Sequence, residues 1–201
     1  MAQRASKDRL RASIAYEAAR IIHDLGRHDY ATARHKAAKR LGCRDKNRLP
    51  SNGEIEQALL EYQQLFHAGE HQHSVRHQRQ LALEAMASLK QFSPRLVGPA
   101  LKGTADQHTP LQLHLFADCP EDIALFLLER GIPYREGDKT VHFPKGKTQK
   151  LPAFRFRSGE TDIELICFPA HSIGHPPLSP LDQKPEKRAS ANQLLALLTD
   201  T

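Results

Sequence analysis

The first third of the chain carries apolar side chains at helical spacing. Apolar residues recur every three to four positions in residues 7–25, 30–41 and 51–66, which places them on one face of an α-helix. Ser51 and Glu54 stand at the spacing of a capping box, a signature of a helix start. The pattern predicts a helical N-terminal module over residues 1–70.

The pattern changes after this module. Residues 71–80 are polar and rich in histidine, which predicts either a linker or the start of the next helix. Residues 111–115 alternate between leucine and a polar residue, the period of a half-buried strand. Helical and alternating stretches follow, with a hairpin turn expected at Gly137 and Asp138. We therefore predict an α+β domain over residues 81–168, built on a mixed sheet with flanking helices.

The last segment, residues 169–201, is rich in proline and has little periodicity until its end. We expect an extended or disordered tail, followed by a short docking helix over residues 192–198. No apolar run approaches the length of about 20 residues that a membrane-spanning helix needs, so no membrane partner is expected.

Composition and charge narrow the class of protein. Lys and Arg number 29 against 23 Asp and Glu, which gives a net charge of +6 and a pI of about 9.3. Such an excess favours polyanionic partners, nucleic acid in first place. The amino terminus has no apolar leader segment, and the three cysteines form no CxxC pair. These features predict a cytoplasmic protein with reduced thiols.

One motif lies around the alternating strand. A small-residue turn, Gly103 and Thr104, is followed about eight residues later by Gln112 and His114, which share one face of that strand, and Glu164 stands on a later alternating segment. This arrangement resembles the nucleotidyltransferase superfamily (polymerase-beta-like), in which acidic residues occupy all three strand positions. The resemblance covers roughly residues 85–168.

The resemblance implies a nucleotidyltransferase-like domain with a degenerate acidic motif. It implies a phosphate-binding role for Gly103 and Thr104, and it makes Gln112, His114 and Glu164 candidate catalytic positions. Three carboxylates would offset two divalent cations, whereas these residues leave one negative charge, so we expect neither metal nor cofactor. Asp162 shares a face with Glu164 and is the best substitute ligand if the protein is an active, Mg²⁺-dependent enzyme.

Two groups of basic residues are candidates for binding nucleic acid, RNA in first place. Arg155 and Arg157 share a strand face, and we expect them to form one rim with the lysines of the preceding turn, Lys145, Lys147 and Lys150. The second group lies on the second predicted helix and comprises Arg34, Lys36, Lys39 and Arg40. Aromatic residues are few and tryptophan is absent, which favours contact with the phosphate backbone over base stacking.

Several alternatives remain open at this stage. The protein is either a binding protein, an active nucleotidyltransferase with substitute ligands, or a scaffold that binds only a protein partner. The second predicted helix also permits a helix-turn-helix DNA-binding regulator, although a recognition helix should begin within about four residues. In the plainest interpretation, Gly103 and Thr104 form an ordinary tight turn, and Gln112 and His114 face solvent.

Overall fold

A computed structural model describes residues 2–25, 29–66, 68–106 and 108–199. The chain divides into two compact units. The first comprises residues 1–72 with residues 180–182, and the second comprises residues 73–179 with residues 183–201.

Three helices form most of the first unit: α1 (Ala2–Leu25), α2 (Tyr30–Arg40) and α3 (Asn52–Phe66). The start of α3 is fixed by the predicted capping box, in which the Ser51 N–H donates to Glu54 at 2.7 Å and the Glu54 N–H donates to the Ser51 hydroxyl at 3.2 Å. Every buried residue of α2 is an alanine, so the helices pack closely around larger side chains of α1 and α3 such as Ile22 and Leu59.

The fourth helix, α4 (Ala68–Ser88), begins earlier than its apolar spacing indicates and contains residues 71–80. Histidine and glutamine extend the helix there without contributing a continuous apolar stripe, which is why apolar spacing alone did not find its start. The chain then turns at Ser93, which adopts a left-handed conformation (φ 48°) before Pro94.

A five-stranded mixed sheet organises the second unit. In chain order the elements are β1 (Arg95–Val97), α5 (Gly98–Lys102), β2 (Leu111–Phe116), α6 (Glu121–Glu129), β3 (Arg135–His142), β4 (Thr148–Ser158), β5 (Thr161–Phe168) and α7 (Ala191–Thr199). The strands lie in the order β1-β2-β5-β4-β3; β2 and β5 are parallel and all other neighbours are antiparallel. The predicted α+β fold class is confirmed.

The expected hairpin turn at Gly137 and Asp138 is wrong. Both residues lie inside β3, and the turn that joins β3 to β4 lies at Pro144–Gly146. The lack of a side chain at Gly137 has a structural consequence within the sheet. A Cβ at this position would lie 3.0 Å from a guanidinium nitrogen of Arg155 on the neighbouring strand. The glycine therefore makes room for a cation instead of bending the chain.

The two faces of the sheet are covered differently. One face packs against α4 and α6 in the main core, which contains Leu113, Leu165 and Phe126 among others. The other face is covered over only part of its area, by residues that follow β5. The sequence predicts an extended or disordered tail here. In the structure the tail contains a 3₁₀ turn (Ala170–Gly174) and forms single β-bridges to β3 and β1. Within the described residues, no helix is both long and apolar enough to cross a membrane.

Candidate functional site

Polar side chains from three strands meet on the partly covered face because of the strand register. Gln112 of β2 lies opposite Glu164 of β5, and Arg155 of β4 lies opposite the same glutamate. Residues that lie opposite one another on neighbouring strands project from the same face. Gln112 and Glu164, which the resemblance paired, thus converge, and a cation accompanies them.

Glu164 is the centre of this cluster. Its Oε2 accepts hydrogen bonds from Lys139 Nζ at 2.9 Å and from Gln112 Nε2 at 3.2 Å. Its Oε1 accepts from Arg155 Nε at 2.9 Å and lies 2.8 Å from Arg155 Nη2. Glu164 is only 7% exposed, so this carboxylate is shielded from solvent but bonded at both oxygens.

The ionisation of Glu164 results from two opposing effects. Burial raises the pKa of this carboxyl because it disfavours the charged form. The hydrogen bonds and positive charges of Lys139 and Arg155 lower the pKa by more, and the net shift is below the ordinary value. Glu164 is therefore charged at neutral pH and fixes the positions of two cations.

The cluster lines a cleft of about 750 Å³, which opens from the uncovered half of this face and extends around the end of the sheet where β2 and β5 begin. We call it the cationic cleft, because four basic side chains and two carboxylates line it: Arg135, Lys139, Arg155, Arg157, Asp162 and Glu164. Its charge is thus positive by two. Neither Arg135 nor Arg157 forms an ion pair with any residue that the structure describes; Arg157 donates only to the backbone oxygen of Glu160, at 3.4 Å.

His114 shares the face but not the cleft. It is 1% exposed, its ring packs on Phe168 with 4.5 Å between centroids, and its Nδ1 accepts a hydrogen bond from Arg188 Nε at 3.0 Å. The Arg188 guanidinium also donates to the carbonyls of Ser172 and Ile173 and lies over the Phe168 ring at 4.6 Å. The interpretation of His114 as a solvent-facing residue is therefore wrong, since the tail covers it.

The surroundings of His114 keep its ring neutral. Burial, the charge of Arg188 and the charge of Lys139 lower its pKa well below the ordinary value. Since Nδ1 accepts from Arg188, the ring proton is assigned to Nε2. Glu186 lies 4.0 Å from Nε2, and with a neutral ring this approach is not an ion pair.

The Gly103–Thr104 turn does not have the expected phosphate-binding geometry. It ends the short helix α5, and the N–H groups of both residues donate to the carbonyl of Pro99, at 2.8 and 3.0 Å. Arg79 of α4 donates to the neighbouring carbonyls of Ala100 and Leu101. Both amides are already used, and carbonyl groups at a helix end attract a cation, as Arg79 shows.

The glycine that lies against the cluster is Gly98. It has a φ of +73°, and a Cβ there would lie 2.5 Å from Oε1 of Gln112. At Gly103 the nearest atom to an added Cβ is an Arg79 nitrogen at 3.8 Å, an ordinary contact. Of the two glycines, Gly98 is therefore the one at which a side chain would disturb the cluster.

The predicted basic rim is divided in the structure. Arg155 and Arg157 lie near the C-terminal end of β4, whereas Lys145 and Lys147 lie in the turn before β4, so even Lys147 and Arg155 are about 26 Å apart at about 3.3 Å per residue. Lys150 is an odd number of residues from Arg155 and projects from the opposite face. The three lysines therefore do not form one surface with the two arginines.

The basic residues of α2 are also divided. Arg34 donates to the Pro50 carbonyl and to Asn52, and Arg40 forms an ion pair with Glu17 at 2.7 Å, so both hold the helical unit together. Lys36 and Lys39 are exposed. Residues 41–51 separate α2 from α3, which exceeds the short turn of a helix-turn-helix motif.

Sequence reasoning missed Arg135 and Lys139, the two cations that β3 brings to the cleft. Because a turn was expected at Gly137, these residues were assigned to opposite sides of a bend. The alternation of Arg135, Gly137 and Lys139 at every second position is the signal that could have placed them on one face of a strand.

Comparisons with known proteins add no family to this geometry: no family model, no curated protein and no solved structure matches the chain. Among the residues that the structure describes, no group of three or more His, Cys, Asp or Glu side chains is arranged to hold a metal ion. The cleft itself is therefore the feature from which we infer a function.

Proposed function

We propose that this protein binds RNA through its phosphate backbone in the cationic cleft, on a scaffold that is a degenerate nucleotidyltransferase-like domain. The observation that carries the proposal is the convergence of four basic side chains on the open half of one sheet face, against two carboxylates. Phosphate contacts of this kind supply most of the affinity of sequence-independent nucleic-acid binding.

The arrangement of the cations supports an anionic ligand. Arg135 and Arg157 are exposed, and their planar guanidinium groups suit bidentate contact with phosphate oxygens. Lys139 and Arg155 are held by Glu164, and each still has about 40% of its side chain exposed. Arg135 and Arg157 thus lie beside two cations whose positions are already fixed. Because Lys139 and Arg155 are fixed before the ligand arrives, less side-chain entropy is lost on binding.

The choice of RNA over duplex DNA rests on the shape of the site. These cations project from a sheet, whereas sequence-specific duplex binders commonly insert a helix into the major groove. Backbone contact from an open sheet face suits strands that are not confined to a regular duplex.

The test uses two variants that separate the cleft from general positive charge. Arg135→Ala/Arg157→Ala removes two cleft cations without touching the partners of Glu164. Lys145→Gln/Lys147→Gln removes the same number of cations outside the cleft and serves as the matched control. Binding of a labelled RNA is measured by fluorescence anisotropy from 50 to about 300 mM salt, the range in which counterion release dominates.

We expect a wild-type log–log salt slope of about −2 to −3, as for about four phosphate contacts on a single strand. The arginine variant should lose at least about tenfold in affinity and have a slope smaller in magnitude by about 1.4. The lysine control should stay within about twofold of wild type, since its cations lie elsewhere. Equal losses in both variants, or none in either, would show that the cleft is not the binding site.

The enzyme alternative has one observation in its favour, namely that Asp162 and Glu164 both line the cleft. Against it, both oxygens of Glu164 are bonded to Lys139, Gln112 and Arg155, and these contacts compete with a divalent cation. Incorporation of labelled ribonucleotides with Mg²⁺ that disappears in Glu164→Ala would favour the enzyme over the binding protein.

A further inference from the structure

The cationic cleft has an apolar side that backbone binding alone does not use. Besides its charged residues, the cleft is lined by Pro110, Pro133, Tyr134, Phe156 and Ile163. Pro110 and Pro133 are exposed, and Tyr134 and Phe156 are half-buried. An apolar wall beside cationic side chains is unusual for a site that binds phosphate alone, because phosphates gain nothing from contact with hydrocarbon.

Tyr134 is held firmly enough to act as a binding surface. Its ring packs edge-to-face on Phe154, with 5.7 Å between centroids and an angle of 70° between planes. Phe154 is itself 3% exposed and belongs to the main core. A ring fixed in this way loses little conformational entropy when a second ring stacks on it.

An aromatic residue and basic residues are neighbours at the start of β3. Tyr134 directly precedes Arg135, which begins β3. The Tyr134 ring packs on Phe154 of the main-core face, whereas Arg135 and Lys139 project from the other face, so the cleft takes in both sides of the sheet at this end. A nucleotide also presents an aromatic base next to a phosphate. The cleft therefore offers an apolar surface and cations in the same sequence in which a nucleic-acid strand offers bases and phosphates.

We propose that the cleft selects single-stranded nucleic acid by packing an unstacked base against the apolar wall at Tyr134 while Arg135 and Arg157 hold the adjacent phosphates; this inference rests on the proposed function. In a duplex the bases are paired and stacked inside, so their faces are not available to Tyr134. Gln112 donates to Glu164, and Glu164 also accepts from Lys139 and Arg155, which leaves strandedness rather than sequence as the property that the cleft recognises.

The experiment compares three polyanions: a ten-nucleotide single-stranded RNA, the same sequence as a duplex, which carries twice as many phosphates per molecule, and inorganic polyphosphate. Two variants are matched to wild type. Tyr134→Phe keeps the ring, whereas Tyr134→Leu keeps apolar volume and loses aromaticity. The chain has four tyrosines and no tryptophan, so a ligand-induced quenching of tyrosine fluorescence that is present in wild type and absent in Tyr134→Phe reports stacking on Tyr134.

We expect the single strand to bind wild type at least about tenfold more tightly than the duplex and to quench tyrosine fluorescence, whereas polyphosphate should bind without quenching. Tyr134→Leu should weaken single-strand binding at least about fivefold, within the range found when one stacking residue is removed, and leave polyphosphate binding unchanged. Tyr134→Phe should keep wild-type affinity and lose the quenching.

Two results would overturn this inference and leave RNA binding in place. The first is equal affinity for single strand and duplex. The second is wild-type affinity of Tyr134→Leu for the single strand, with no quenching in wild type, while Arg135→Ala/Arg157→Ala still loses binding. If the arginine variant also binds normally, the proposed function fails together with the inference.

Discussion

The two halves of one sheet face each contain a buried titratable side chain. One of these side chains is neutral and the other is charged. His114 lies in the covered half, under Arg188 and the tail, and is neutral. Glu164 lies in the open half, in the cationic cleft, and is ionised. Both are at most 7% exposed, so burial alone does not explain the difference.

The difference comes from the sign of the surrounding charge. Lys139 contributes to both shifts: its positive charge lowers the pKa of His114 and also that of Glu164. The same field disfavours a cationic imidazolium and favours an anionic carboxylate. In the covered half this field keeps the His114 ring uncharged beside Arg188, and in the open half it favours an ionised carboxylate that fixes the positions of Lys139 and Arg155.

The largest expected effect is on stability, and it should be confined to the covered half. Phe168 is fully buried there, against His114, Phe116 and Arg188. Phe168→Ala should lower the free energy of unfolding by about 3 to 5 kcal/mol, from lost transfer energy and the cavity left behind. Arg157→Ala, in the open half, should change it by less than about 0.5 kcal/mol.

Urea denaturation followed by circular dichroism measures both values. If the two variants lose similar amounts of unfolding free energy, the open half contributes to the core as much as the covered half does, and the two halves do not differ as described.

A second, smaller effect is that the free energy of unfolding should depend on pH in two separate ranges. Both groups have a folded-state pKa below their unfolded value, so each makes the protein less stable as the pH falls. For His114 the loss begins near the unfolded value of 6.5, and for Glu164 near 4.5. In each window the free energy of unfolding should fall by up to about 1.4 kcal/mol per pH unit.

Two substitutions remove the titration and keep a hydrogen-bond acceptor. His114→Asn should abolish the dependence between about pH 6.5 and 5, and Glu164→Gln should reduce it below about pH 4.5. Urea midpoints measured at half-unit steps of pH distinguish the windows. If His114→Asn retains the full slope between pH 6.5 and 5, His114 is not the buried neutral group described above.

Local pattern was sufficient for the fold class and for part of the site. Strand alternation places Gln112 on a definable face, and the later alternating segment does the same for Glu164, so their convergence could be expected once the two strands pair. The cover over His114 could not be predicted, because it comes from Arg188 and a proline-rich segment with no period of its own. The cations Arg135 and Lys139 were missed for a different reason: Gly137 suggested a turn, but it lies inside β3, where it leaves room for the Arg155 side chain.

The smallest effect concerns ligand affinity and tests whether the buried charge of the open half limits binding. Glu164→Gln keeps an acceptor for Arg155 but raises the net charge of the cationic cleft by one. We expect RNA to bind about fivefold more tightly, the equivalent of about 1 kcal/mol, with a salt slope steeper by about 0.7. Glu129→Gln is the matched control, since it makes the same change in net charge on α6, which packs against the opposite face, and it should leave affinity nearly unchanged. Anisotropy titrations over the same salt series measure both variants. Weaker binding by Glu164→Gln would mean that the carboxylate is needed to position Lys139 and Arg155 more than its charge opposes the ligand.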